Sequence, residues 1–299
     1  MTRPYGRKQF TMLGDRQITN IALKLTKLST ARSSSHGKLK HLDLFAGCGG
    51  FTLAAEQTGG KIQTTQFVEI DPDCHTILQH HWPHIPIHAD IRDYYPTPGQ
   101  FDLVTAGFPC TGTSEAGTKT GLHHPQSALF RQVLRIVAHC HPPFVVIEQP
   151  LGVIHRGLRA VLGGLRMVGY QSEVEIISAA ELGAGHRRER LFVISYPHGL
   201  FGHLPPSWVE QIGAMVEAQR VNCQWLTVKR HGLCPDSGLS FSLVSTPGPQ
   251  SCTVPTGTPG RIKARKLAGR TVTPGQAACG FSRALGIALN RVLYLHSML

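Results

Sequence analysis

No two cysteines in this chain stand in a C-x-x-C arrangement; the eight fall at 48, 74, 110, 140, 223, 234, 252 and 279. That spacing disfavours a zinc ribbon and a short disulfide framework, and a reducing cytoplasm is the expected setting. Long apolar runs are missing as well. The longest, such as 144–147 and 191–194, are strand-length, so no segment is expected to span a bilayer. The basic N-terminus is not followed by an apolar stretch with a small-residue cleavage site, so no secretory signal is expected. Charged residues are scarce at 16%, yet 41% of the 299 residues are hydrophobic. Such a chain buries a substantial core and is not disordered throughout, forming one large domain or a large domain with a small one. There is no internal repeat.

Acidic residues are in short supply, 18 against 30 basic, and the net charge of +12 is unevenly placed. Residues 1–40 carry nine basic groups against Asp15, and 220–270 carry eight against Asp236, whereas 41–219 carry eleven basic against sixteen acidic. A mildly acidic body with two basic appendages suits a catalytic core whose flanks meet a polyanion, nucleic acid being the commonest. A tail that merely aids solubility accounts equally well for 1–40, whose Ser33 to Ser35 run and scattered charges predict a flexible segment.

From His41 onward, short β-rich runs alternate with helical patterns, which predicts an α/β domain with a mostly parallel sheet. Strands are expected over 41–45, 66–70, 102–106, 144–147, 173–177 and 191–195, and helices over 52–57, 73–81, 128–139 and 158–168, the last ended by Gly169. Ligands of such sheets bind beyond the carboxyl ends of the strands. After Pro197 the rhythm fails. A candidate helix over 207–218 precedes about fifty residues rich in Gly, Pro, Ser, Thr and basic side chains, which predicts a second, loop-rich unit. Helical spacing returns over 281–295 and is expected to pack back on the first domain.

The first predicted strand runs into Ala46-Gly47-Cys48-Gly49-Gly50-Phe51, a glycine turn in which missing Cβ atoms let a ligand approach backbone amides. A dinucleotide fingerprint would want glycine at 52, where Thr52 stands. Glu69 ends the second strand, where a carboxylate accepts hydrogen bonds from ribose hydroxyls, and Asp90 follows in the next loop. Turn, Glu and Asp in successive units suit an adenosyl group. The strand over 102–106 leads into Gly107-Phe108-Pro109-Cys110 and a Gly/Ser/Thr loop, a fitting place for a nucleophilic thiol.

The run GFPC-x-G-x-S-x-A-G over 107–117 resembles the catalytic loop of the DNA cytosine-C5 methyltransferases, and the resemblance extends in order across 41–196 and again at the C-terminus. It implies a Rossmann-like, S-adenosylmethionine-dependent methyltransferase sheet over 41–199, a small, loop-rich target-recognition domain over 200–269, and a segment over 270–299 returning to the catalytic domain. The S-adenosyl-L-methionine site would comprise Phe45, Ala46, Gly47, Cys48, Gly49, Gly50, Glu69, Ile70, Asp90, Ile91, Gly107, Pro109, Leu129, Gln276 and Ala277. Cys110 matches the nucleophile, Glu148 the Glu of a Glu-Asn-Val signature, and Arg188 and Arg190 the arginines of Gln-x-Arg-x-Arg. On composition alone, Arg187, Arg188 and Arg190 read as a phosphate-binding cluster. Duplex DNA is the implied partner, with contacts from Ser114, Thr118 and Lys119 in the loop and from Lys229, Arg230, Arg261, Lys263, Arg265 and Lys266 in the basic region. A flipped-out cytosine is implied too, since its reacting atoms are unreachable inside a duplex.

Several positions depart from the family pattern: Thr111 replaces a Gln, Gln149 and Pro150 replace Asn and Val, His186 replaces a Gln, and Gln276 replaces an Asn. The extra methylene of Gln149 is expected to loosen the catalytic loop and lower activity. Seventeen histidines, including His80, His81, His84 and His88, lack companion cysteines at ligand spacing, and no metal site is expected. The expected protein is a cytoplasmic, nucleoid-associated monomer without a membrane partner. Pairing with a cognate restriction endonuclease and solitary or viral modification both fit. A transfer-RNA cytosine methyltransferase, disfavoured by the missing Cys-Phe-Thr signature, a non-catalytic DNA-binding relative and a nucleotide-dependent oxidoreductase are the competing readings.

Overall fold

A computed structural model describes residues 38–109, 129–182, 187–198, 207–221 and 272–297. Its seven strands are β1 (Leu39–Leu44), β2 (Ile62–Val68), β3 (Ile87–His88), β4 (Leu103–Ala106), β5 (Phe144–Gln149), β6 (Tyr170–Ser178) and β7 (Glu189–Pro197). They form one sheet in the order β3-β2-β1-β4-β5-β7-β6. The first five run parallel, while β7 is inserted antiparallel to both β5 and β6. This is the expected α/β, Rossmann-like sheet, mostly parallel.

The helices are α1 (Gly50–Glu56), α2 (Pro72–His81), α3 (Phe130–Cys140), α4 (Val153–Arg156), α5 (Leu158–Met167), α6 (Trp208–Val221) and α7 (Pro274–Ser297). Helix α2 starts at Asp71, whose side chain caps the Asp73 amide, with Pro72 following; both are strong start signals. Gly169, at φ 95, follows α5 and lets the chain turn into β6.

Central strands buried on both faces read as continuous apolar runs, and period-two alternation sends neighbouring side chains into different layers. Val145 and Ile147 of β5 join Val133, Ile136 and Val137 of α3 and Val161 and Leu165 of α5 in one core. Phe144 and Val146 join Phe51 and Ala54 of α1, Trp208 of α6 and Ala277, Phe281 and Ile287 of α7 in the other. Helix α7 lies hard against the sheet: a Cβ on Gly280 would come within 3.0 Å of a Val146 methyl carbon. Burying Phe281 completely contributes about 2–3 kcal/mol to this docking.

Differences from the sequence expectation are local. Helix α7 begins at Pro274 rather than at 281, because Gly275 and Gly280 weaken the apolar period that tertiary packing then overrides. Strand β3 and helix α4, two and four residues long, are too short to show a period. No helix among the described residues is long and apolar enough to cross a membrane.

Candidate active site

The carboxyl ends of β1, β2, β4 and β5 lie along one edge of the sheet, and the reversed β7 brings its amino end to the same edge, since Gln149 pairs with Leu191. Residues before β7 therefore meet residues that end the parallel strands. Glu148 lies within β5, one residue beyond the expected strand end, while Arg188 precedes β7 and Arg190 is its second residue.

On one side of this edge the site is made of main chain. Phe45 adopts a left-handed conformation at φ 57, as do Gly47 at φ 55 and Gly49 at φ 82. Such angles strain any residue with a Cβ and mark functional turns. Gly49 is further constrained by packing, because a Cβ there would sit 2.3 Å from the Trp82 ring. The Trp82 indole is held by a 2.6 Å bond from its Nε1 to Glu56. One oxygen of Glu69 accepts from the Gly47 amide and the other from the Asp71 amide, both at 2.8 Å. A carboxylate has about four acceptor positions, so ribose hydroxyls can still be received. Ile70 beside it is 63% exposed. The Cys48 thiol is hydrogen-bonded to that of Cys74 and pushes Cys74 well above the ordinary thiol range.

Asp90, in the loop after β3, accepts from the Arg92 amide and from the Arg92 guanidinium at 2.9 Å. That guanidinium holds its carboxyl below the usual carboxylate range. Ile91 is buried in the core shared with α3. Gly107 and Pro109 follow β4, and Leu129 stands at the start of α3, all three half-buried.

Beneath the glycine turn runs a buried polar chain. Thr52 and Thr105 donate to the two oxygens of Asp43 at 3.0 and 2.9 Å. His41 bridges Thr105 and Thr64, both at 2.8 Å. Because the Thr105 proton goes to Asp43, its oxygen accepts from His41 Nε2, leaving His41 Nδ1 to accept from Thr64. Burial pushes His41 down to about 3. Burial likewise raises Asp43 to about 7, against the lowering bonds from Thr105 and Thr52.

The other side of the edge is made of side chains. Glu148 Oε1 is 2.9 Å from Arg190 Nε in a mostly enclosed ion pair. A Cβ on Gly107 would lie 3.5 Å from Glu148 Oε2, so this carboxylate stands over the turn leading into Cys110. Gln149 Nε2 donates to the Phe108 carbonyl at 2.8 Å; the added methylene lets this buried amide tie β5 to that turn. Gln276 and Ala277, at the start of α7, are wholly enclosed. Gln276 donates to the carbonyls of Ile177 and Arg188, each at 2.6 Å.

Residues 39–215, more than half of the chain, match the family profile described as C-5 cytosine-specific DNA methylase. The chain belongs to that family.

Among its relatives, the Type II methyltransferase M.DsaV of Dactylococcopsis salina is 31% identical over 169 residues, 53% of this chain and 46% of that protein. M.CviJI of Paramecium bursaria Chlorella virus IL3A is 32% identical over 157 residues, 52% of this chain and 42% of its own length. M.MspI of Moraxella sp is 27% identical over 224 residues, covering 71% and 53%. The chain thus spans about half the length of the curated relatives it matches.

Cys110, Ser114, Thr118, Lys119, Lys229, Arg230, Arg261, Lys263, Arg265 and Lys266 lie outside the described residues, as do Thr111, His186 and segments 1–37 and 222–271. Among the described residues, no group of three or more His, Cys, Asp or Glu is arranged to hold a metal. Several supporting residues escaped the sequence reading. Asp43 was visible as a charge inside an apolar strand, a feature that demands buried partners. Arg135 of α3 donates to the carbonyls of Ile91 and Tyr94 at 2.7 and 3.0 Å and lies over the Tyr95 ring, pinning the loop after Asp90. Nothing in the spacing announces which partners Asp43 and Arg135 meet.

Proposed function

We propose that this methylase transfers a methyl group from S-adenosyl-L-methionine to C5 of a cytosine flipped out of duplex DNA. The observation that carries this reading is the Glu148 carboxylate, which lies beside Gly107 and is paired with Arg190. An acid and an arginine converge next to the turn whose following residue is Cys110.

Cytosine C5 is a poor nucleophile until electron density is pushed onto it. The Cys110 thiolate adds to C6, forming a C–S bond and sending the C5=C6 π electrons toward C5. Glu148 favours this addition by holding a proton at N3 and accepting from the exocyclic amine, while Arg190 holds O2. Bound at this edge, S-adenosyl-L-methionine would supply an electrophilic methyl group for C5 to attack, the sulfonium carbon–sulfur bond breaking to leave the neutral thioether S-adenosylhomocysteine. Loss of the C5 proton to water then returns its electron pair to the C5=C6 bond as the C–S bond breaks and the thiolate leaves. Gln149, through Phe108, steadies the turn that carries the nucleophile.

The residues present fit this cofactor. Phe45, Ala46, Gly47, Cys48, Gly49 and Gly50 form the turn against which it would lie. Glu69 would take the ribose hydroxyls, exposed Ile70 would offer an apolar face, and Asp90 with Ile91 would flank the adenine. Gly107, Pro109 and Leu129 would line the end nearer the target. Residues 200–269 would read the DNA, and 1–40 would add sequence-independent phosphate contacts. A monomer acting in the cytoplasm, alone or beside a cognate restriction endonuclease, completes the proposal; the Type II names of the relatives support the latter setting.

Duplex DNA bearing 5-fluorocytosine provides the test, since fluorine at C5 blocks proton loss and traps the thiol adduct. The protein should form a cofactor-dependent covalent complex that Cys110→Ala does not form, while this variant still binds DNA. A wild type that binds DNA but yields no adduct on any sequence would sink the enzyme. Methyl incorporation into transfer RNA but not duplex DNA would transfer the chemistry to the competing substrate.

A further inference from the structure

The fully enclosed side chain of Gln276 uses both its N–H groups on main-chain carbonyls of the β6–β7 pair, Ile177 and Arg188. Its oxygen accepts from the hydroxyl of Thr273, the residue preceding α7. This Thr-x-x-Gln relation resembles a capping box, turned here to another use. Two carbonyls can be met only by the donor Nε2, so the amide oxygen is the atom turned to Thr273, whose hydroxyl donates to it and holds that orientation.

Those carbonyls belong to facing strands at the active-site end of the ladder. Ile177 pairs with Arg190 and Ser178 with Glu189, and the Ala179 amide extends the pairing to the Arg188 carbonyl at 3.1 Å. One rung away, Arg190 meets Glu148 at 2.9 Å. Gln276 therefore clips together the strand ends that aim Arg188 and Arg190, from a helix 88 residues further along the chain than Arg188.

We infer that Gln276, oriented by Thr273, is a positioning residue for the target-binding arginines and takes no part in holding the cofactor. This rests on the reading of Arg190 and Glu148 as groups that grip the cytosine. With both donors engaged by protein carbonyls, the amide has no N–H left for a ligand. Without it, the end of β6 and the start of β7 each lose one buried bond and Arg190 can drift from Glu148, and a drift of about 1 Å at a reacting group is enough to slow chemistry roughly a hundredfold.

The test compares Gln276→Leu, Thr273→Val and Thr273→Ser with wild type at a temperature where thermal unfolding shows each folded, counting active molecules by S-adenosylmethionine binding. Single-turnover methyl transfer into duplex DNA at saturating cofactor should fall roughly 10- to 100-fold in Gln276→Leu, with the S-adenosylmethionine Kd within about twofold of wild type. Thr273→Val should move the rate in the same direction by less, and Thr273→Ser, which keeps the hydroxyl, should restore it. Should Gln276→Leu not fold, the Thr273 pair carries the test. A raised Kd with an unchanged saturated rate makes Gln276 a cofactor contact and overturns the inference; so do rates equal to wild type in every variant. A wild type that transfers no methyl group fails the functional reading itself and takes the inference with it, an outcome separate from a working wild type with indifferent variants.

Discussion

The two sides of the active-site edge are built by different means. On the side proposed for the cofactor the groups presented are backbone amides and left-handed turns at Phe45, Gly47 and Gly49, with Glu69 accepting from the Gly47 amide 22 residues away. On the side proposed for the target base they are side chains whose supporting main chain is tied by distant amides: Gln149 reaches back 41 residues to the Phe108 carbonyl, and Gln276 reaches 88 and 99 residues to those of Arg188 and Ile177. A turn that presents its amides is specified by what glycine permits locally. An acid–arginine pair is specified only once distant strands have docked. The first arrangement should tolerate side-chain changes and fail on backbone ones; the second should behave in the opposite way.

The largest effect should come from Gly49→Ala. A left-handed alanine with its Cβ 2.3 Å from Trp82 should cost about 3–4 kcal/mol in urea unfolding and abolish S-adenosylmethionine binding in calorimetry. Loss of less than about 1 kcal/mol would mean that Trp82 yields freely and the turn is not rigid. Next, Glu148→Gln removes the Arg190 ion pair and the proton held at N3. Methyl transfer should fall about 10²–10³-fold in rapid-quench assays with cofactor affinity unchanged, and a matching loss of affinity would merge the two sides into one unit. Smaller still, Gln149→Ala should destabilise by about 1–3 kcal/mol, through the stranded Phe108 carbonyl, and lower the saturated rate more than it raises the cofactor Kd.

The smallest change is expected in the pH dependence of wild-type stability, where two buried neighbours oppose one another. His41 is lowered from 6.5 to about 3, so its contribution is present above pH 6.5 and is lost as pH falls toward 3. Asp43 is raised from 3.8 to about 7, so its contribution is complete below pH 3.8 and is lost as pH rises through 7. Between those limits the two nearly cancel. Urea midpoints should show a shallow profile for wild type, rising stability on acidification from pH 7 to 4 for His41→Gln, and falling stability over that range for Asp43→Asn. Parallel profiles for all three proteins would show that neither group changes its protonation state on folding.

Much of the fold was legible in the sequence because central strands must be apolar and helices between them amphipathic; the strands of β1, β2, β4 and β5 were recognised within a few residues. The turn at 46–50 was legible for a similarly local reason, since only glycine adopts such angles freely. Thr52 counted against a dinucleotide fingerprint, and its buried hydroxyl proves to be a partner of Asp43. Gln149 looked too long for its place, yet that length reaches Phe108.

By itself, then, the sequence determined the α/β rhythm, the glycine turn and the chemical types available at each strand end, because these follow from interactions among near neighbours along the chain. Tertiary structure alone decided that β7 runs backward, bringing Arg188 and Arg190 to the edge already occupied by Glu148, and that Gln276 and Arg135 spend their polar atoms on distant carbonyls. Those outcomes depend on how packed layers bring together groups tens of residues apart, and no local propensity encodes which buried carbonyl a given amide or guanidinium will meet.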